Sequence, residues 1–215
     1  MAEQLDIYDA NLNHIGVMER REAHRKGEWH KTFHCWVVNG ADGGAILFQL
    51  RSPSMVNFPN LLDVSAAGHL EAGETLDQGV REVVEELGLP VQIDSLYDLG
   101  YRVEVADQAN GQKNREYQAV YLLRLDKSLS EYKPQIEEIS GLLWLPIRDG
   151  LALFSGTKQS ATVIGIAYNR EAERWDDIQR VVTSADFLPR IQKYYLTACI
   201  MAERLIEGRY PLALS

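Results

Sequence analysis

Glu82, Glu85 and Glu86 fall close together in the stretch AAGHLEAGETLDQGVREVVEELGLP, Ala66 to Pro90. A helix advances about 100° per residue, so Glu82 and Glu86 lie about 40° apart and Glu85 about 60° from Glu82. Three carboxylates on one face repel each other unless something neutralises them. Hard oxygen ligands of this kind suit Mg²⁺ or Mn²⁺, which keep waters and share phosphate oxygens with a substrate. The plain alternative is a solvated acidic face, and the helix alone does not choose between the two. Val80, Val83, Val84 and Leu87 form the opposite, apolar face, which can anchor the helix on a sheet.

The elements that must position this helix are readable in outline. Thr75 to Leu87 is expected to be helical, with Thr75 and Gln78 at capping-box spacing and Gly88 as the stop. EQLDIYD reads as a first strand, and MERREAHRKGEWHK as a charged turn or short helix. TFHCWVVN and GAILFQLR read as a strand pair across GADGG. LLDVSAAG is a further short strand. VQIDSLYDLGYRVEV and REYQAVYLLRL are expected to be long antiparallel strands around the polar loop ADQANGQKN, and EISGLLWLP one more strand. Residues 1–148 then form one domain. Residues 149–215 are expected to be a helical extension, because Leu188, Ile191, Tyr195, Ala198, Met201 and Leu205 recur near a helical period. That helix packs on the same domain or on a second copy in a homodimer. Strands followed by helices indicate an α+β class.

The bulk properties bound the function. The chain has 215 residues, with 22 basic and 31 acidic side chains and a net charge of −9. This balance argues against a nucleic-acid or anionic-membrane binder. A phosphate substrate stays compatible, because bound cations reverse the local field. Cys35 and Cys199 are far apart, each in an apolar stretch, which fits reduced thiols and a cytoplasmic protein. The acidic N-terminus has no leader pattern, and no apolar run reaches 18 residues.

The residues around the acidic helix resemble a known motif. Gly68, Glu74 and REVVEELGL resemble the Nudix box, Gly-x5-Glu-x7-Arg-Glu-U-x-Glu-Glu-x-Gly-U, with U aliphatic. Gly68 and Glu74 match its loop, and Arg81, Glu82, Glu85, Glu86, Gly88 and Leu89 match its helix. One position departs: six residues, TLDQGV, stand between Glu74 and Arg81 where the pattern has seven. The missing residue could be absorbed where the loop enters the helix, with Gly79 tolerating an irregular turn. The Glu74–Arg81 partnership is the feature this puts in doubt. The resemblance implies an α/β/α sandwich around a mixed sheet. It also implies hydrolysis, with Mg²⁺ or Mn²⁺, of a nucleoside diphosphate linked to some moiety X or of a related small diphosphate. Arg81 would orient a glutamate, and Glu82, Glu85 and Glu86 would hold metal. The general base stays open among Glu85, Glu116, Glu137 and Glu138.

A wider resemblance covers about residues 5 to 148. It points to the branch of this family related to isopentenyl diphosphate isomerase, whose members use a catalytic cysteine and glutamate and a metal held by three histidines and acidic residues. His24, His30 and His69 fall where those histidines would be. They are candidates for metal or for substrate phosphate. The cysteine's place is taken by Ala67, which has no proton to transfer. The later acidic pair is Asn114 and Glu116, so only Glu116 is available as an extra ligand or base. A hydrolase is therefore expected, with an isomerase-like enzyme or a non-catalytic diphosphate-binding protein as alternatives. Arg51, ending a strand, is a candidate for phosphate contact, and Phe58 and Pro59 for the pocket border. His34 is expected to be a satisfied, partly buried side chain, His14 a turn residue and Trp144 a core residue.

Overall fold

A computed structural model describes residues 2–214. Its centre is a strand of unusually apolar sequence, Trp29–Asn39, which is buried along most of its length. A strand covered on both faces needs apolar side chains on both, so this one reads as a run rather than an alternation. The first strands are β1 (Gln4–Tyr8), β2 (His14–Glu19), β3 (Trp29–Asn39), β4 (Ala45–Arg51), β5 (Leu62–Asp63) and β6 (Ala66–His69). They are followed by β7 (Tyr97–Asp107), β8 (Lys113–Arg124), β9 (Ile139–Pro146), β10 (Ala161–Asn169) and β11 (Arg174–Val182). The helices are α1 (Arg20–Lys26), α2 (Arg81–Leu87), α3 (Ile147–Ser155) and α4 (Tyr194–Ile206).

All eleven strands join one sheet, with β11-β10-β9-β4-β3-β1-β2 as its main path. β3 pairs in parallel with β8 and antiparallel with β1, β4 and β6, which makes the sheet mixed. Successive side chains of a strand point to opposite faces. Phe33, Cys35 and Val37 pack in one core with Val83 and Leu87 of α2. Trp36 and Val38 pack in the other, with Tyr194, Tyr195, Ala198 and Leu205 of α4. Helices thus cover both faces, as the α/β/α expectation required.

Several expectations change. The acidic helix is shorter than Thr75–Leu87: a 3-10 turn spans Gln78–Val80 and α2 starts at Arg81. Gln78 accepts from the Thr75 backbone N–H at 2.8 Å, but the Thr75 hydroxyl also donates to Gln78, so the capping box is half formed. The tighter 3-10 geometry takes up the residue that TLDQGV lacks. Gly79 sits in this turn because a Cβ there would come within 2.8 Å of Leu70 and 3.0 Å of Phe33. Val84, on the expected apolar face, is exposed.

The segment after residue 149 is also not wholly helical. It carries the β10–β11 hairpin, in which Ala161 to Asn169 pair with Val182 to Arg174. The helical period holds only from Tyr195 onward, since Leu188 and Ile191 precede α4. His14 opens β2 rather than sitting in a turn, and Trp144 is only partly buried.

Candidate active site

The loop from Gly68 to Glu74, α2, α1 and the ends of β3, β4 and β8 surround a cavity of about 370 Å³. Arg81 opens α2 and organises this wall. Its Nε and Nη2 donate to the two oxygens of Glu74 at 2.6 and 2.9 Å. Nη1 donates to Glu82 at 2.7 Å and to Glu85 at 3.2 Å, and Nη2 also reaches the His69 carbonyl at 3.0 Å. The fork of a guanidinium suits such multiple acceptors. The Glu74–Arg81 pair is therefore present despite the shortened spacing.

The three helix glutamates occupy different environments. Glu86 is buried and accepts from the Ala67 backbone N–H at 3.0 Å and from Gln49 at 3.4 Å. Burial pushes its carboxyl well above the usual range, and Glu82 adds repulsion. Glu82 is also buried, and burial raises its carboxyl to about 7 although Arg81 opposes the shift. Glu85 is exposed, with 55% of its side chain accessible. Gly68 lies so close to this wall that a Cβ would fall 2.0 to 2.3 Å from the Glu82 carboxyl. Buried carboxylates with raised pKa values are poised for a cation to neutralise them.

A second group of ligand atoms meets beside them. One atom from each of His24, His30, His69 and Glu116 lies within 4.8 Å of the others. The sheet register builds this cluster. His30 faces Glu116 across the parallel β3–β8 pair, and Thr32 faces His69 across β3–β6. His24 comes from α1, and its ring centroid stands 4.7 Å from His30 and 5.1 Å from His69. The His24 Nδ1 donates to the Arg20 carbonyl at 2.8 Å, and the His30 Nδ1 to that of Glu28 at 2.9 Å. A carbonyl only accepts, so Nδ1 carries a proton in both rings, and in a neutral ring Nε2 then keeps its lone pair. Nε2 of His30 and of His69 is buried with no hydrogen-bond partner. Burial lowers the pKa of His30 and, more strongly, of His69, which keeps both rings neutral. An unprotonated, unpartnered Nε2 on a neutral imidazole, as in His30, is what a metal ion requires. Glu116 is buried and accepts from Gln118 at 2.6 Å.

The remaining predicted residues fall as follows. Arg51 lines the cavity, yet its guanidinium donates to the carbonyls of Asn57 and Phe58 at 3.0 to 3.3 Å and lies 3.7 Å from Asp63. It shapes the Phe58 loop as well as facing the cavity. Phe58 and Glu138 also line the cavity, while Glu137 is exposed. His34 is buried, lines the cavity and bonds Tyr194 at 3.0 Å.

Sequence reasoning missed Asp63, Gln49, Thr32 and Arg190, all of which line the cavity. Arg190 comes from the segment before α4 and donates to Asp63 at 2.6 Å. No motif surrounds it in FLPRIQK, so only the fold reveals it.

Comparison with known proteins accords with this geometry. The NUDIX domain family model matches residues 28–164. An uncharacterized Nudix hydrolase of Clostridium acetobutylicum is 36% identical over 197 residues, which is 90% of this chain and 93% of that protein. An isopentenyl-diphosphate Delta-isomerase of Cutibacterium acnes is 30% identical over 151 residues, 66% of this chain and 73% of that one. The crystal structure of DR0079 from Deinococcus radiodurans superposes with a TM-score of 0.55 at 29% identity, covering 73% of this chain and 91% of that one. With that family model matched over more than half of the chain and a relative 36% identical along nearly all of it, the chain belongs to the Nudix hydrolases, enzymes that act on pyrophosphate bonds of small molecules and generally use divalent metals.

Proposed function

We propose that this protein is a Mg²⁺- or Mn²⁺-dependent hydrolase of a nucleoside diphosphate linked to X, or of a related small diphosphate. The observation that carries the reading is the pair of buried carboxylates lining the cavity, Glu82, held by Arg81, and Glu86, which has no cationic partner. Glu82 and Glu86 are assigned as cation ligands. A cation held there supplies charge to the diphosphate oxygens and acidity to a water. Glu85, the exposed member, takes the proton of the attacking water. The new P–O bond forms as the anhydride P–O bond breaks, and the leaving phosphate departs with the electron pair. Arg81 positions Glu82, Glu85 and the loop, and its own donors are already engaged. His24, His30, His69 and Glu116 are assigned as a second cation site. Its three nitrogens and one oxygen favour Mn²⁺ over Mg²⁺. Arg51 is assigned to phosphate.

An isomerase reading is favoured by that intact histidine cluster and by the isomerase relatives. It fails at Ala67, whose methyl can neither give nor take a proton. The test is incubation with Mg²⁺ or Mn²⁺ and a panel of nucleoside di- and triphosphates, nucleotide sugars, CDP-alcohols, dinucleotides and isopentenyl diphosphate, with products resolved by phosphorus NMR. Cleavage between phosphorus atoms supports the hydrolase. Rearranged isopentenyl diphosphate without cleavage supports the isomerase. Binding with no turnover supports a non-catalytic diphosphate-binding protein.

A further inference from the structure

The carboxylate of the histidine cluster is held from behind by a residue that no motif marks. We infer that Gln118 is a positioning residue for Glu116, setting how Glu116 presents itself to a cation, and that Arg102 in turn fixes Gln118. The inference rests on the second cation site assigned above and says what aims its oxygen ligand.

The sheet places these side chains in two rows. Glu116 of β8 faces His30 of β3 and Glu104 of β7. Two residues on, Gln118 faces Thr32 and Arg102. Residues two apart on a strand share a face, so Gln118 stands beside Glu116. Both are buried. Arg102 Nη1 donates to the Gln118 side-chain oxygen, and Gln118 Nε2 donates to Glu116 Oε2 at 2.6 Å. A guanidinium only donates, so the amide oxygen must face Arg102 and the amide nitrogen Glu116. Turned over, the amide would set donor against donor at one end and acceptor against acceptor at the other, which a buried site penalises. Arg102 is itself held in place. It is buried, ion-paired with Glu104, donates to the Ile191 carbonyl at 2.8 Å and lies over the Tyr194 ring at 4.3 Å.

This support suits a metal ligand. The charge of Arg102 is matched by Glu104, and what touches Glu116 is a neutral amide. A neutral donor aims a carboxylate without competing with a cation for its charge. With Oε2 engaged, Glu116 is disposed to offer a cation one oxygen rather than two. Glu116 is also the one acidic residue of β8, because Asn114 stands two positions before it. No second carboxylate of that strand can make up for a misaimed Glu116.

The site is read with Co²⁺, whose visible d–d absorption reports nitrogen ligation and coordination number; the band that His30→Ala removes belongs to the cluster. Turnover is not needed. Gln118→Met keeps the side-chain length and removes the donor. It is expected to weaken Co²⁺ binding about 10- to 100-fold and to lower the band intensity, as a freed Glu116 binds through both oxygens. In a Glu116→Ala background, Gln118→Met is expected to have no further effect on affinity. Thermal unfolding of each metal-free variant is recorded alongside. Gln118→Glu at pH 8, which keeps an acceptor for Arg102 but not the donor, is the second variant if Gln118→Met fails to fold. Unchanged affinity and spectrum in the Gln118 variant overturn the inference, as does an equal loss in the Glu116→Ala background, since a merely structural role would add. Absence of any His30-dependent band in the wild type overturns the cation-site assignment, and this inference with it, before a Gln118 variant is made.

Discussion

One guanidinium, Arg81, meets Glu74, Glu82, Glu85 and the His69 carbonyl, and this leaves Glu86 as the buried helix glutamate without a cationic partner. Its carboxyl is raised well above the usual range by burial. The sign of the consequence follows from linkage. A carboxyl with a raised folded pKa binds more protons folded than unfolded, so its contribution to stability is present at low pH and is lost as pH rises above about 4.5. Glu86→Gln removes this dependence. Without metal, the variant is expected to gain stability relative to wild type at pH 8 and to match it near pH 5. Saturating Mn²⁺ is expected to reverse the order at pH 8. Urea denaturation at the two pH values, with and without Mn²⁺, checks both. A wild type that is insensitive to Mn²⁺ would remove Glu86 from the ligand set.

At the scale of elements, two glycines near α2 are required for different reasons and predict different outcomes. A Cβ at Gly68 meets the Glu82 carboxyl, the far end of a flexible side chain. Gly68→Ala should cost little stability, about 1 kcal/mol or less, yet weaken Mn²⁺ binding about tenfold by displacing Glu82. A Cβ at Gly79 instead meets Leu70 and the base of Phe33 in the core. Gly79→Ala should cost about 1–3 kcal/mol through overpacking. Denaturation and metal titration of the two variants separate the effects. The glutamates were legible in the sequence because helical spacing alone puts them on one face. The half-formed cap was less so, because a missing residue in TLDQGV says that something tightens but not where. The β10–β11 hairpin was missed for a similar reason. Its alternating residues, such as Thr162, Val163 and Ile164, sit next to a stronger helical period, and one of its faces is exposed.

At the scale of the whole molecule, the C-terminal segment closes the face of the sheet that bears His34 and Trp36. Tyr194 joins α4 to β3 by bonding both His34 and Trp36, and Arg102 lies over its ring at 4.3 Å while donating to the Ile191 carbonyl at 2.8 Å. Gln118 receives from the same arginine and donates to Glu116. The last helix is thereby tied to a residue of the histidine cluster. Tyr194→Phe leaves two buried ring nitrogens without their partner and should cost about 1–3 kcal/mol, read by equilibrium denaturation. A loss indistinguishable from zero would mean that water replaces the hydroxyl and that the segment is held by apolar packing alone. None of this coupling was readable beforehand, since Arg102, Tyr194 and Arg190 are distant in sequence from the motif and acquire their meaning from the parallel register of β3 and β8.

The central claim is that buried glutamates of α2 support hydrolysis of a diphosphate, and the most direct measurement is turnover in H₂¹⁸O. A cleaved substrate from the panel would be followed by phosphorus NMR with Mg²⁺ or Mn²⁺, in the wild type and in Glu86→Gln. The account predicts one ¹⁸O incorporated on phosphorus per anhydride bond broken, and a rate at least about a hundredfold lower in the variant. Equal rates in the two proteins, or products without ¹⁸O on phosphorus, would contradict it.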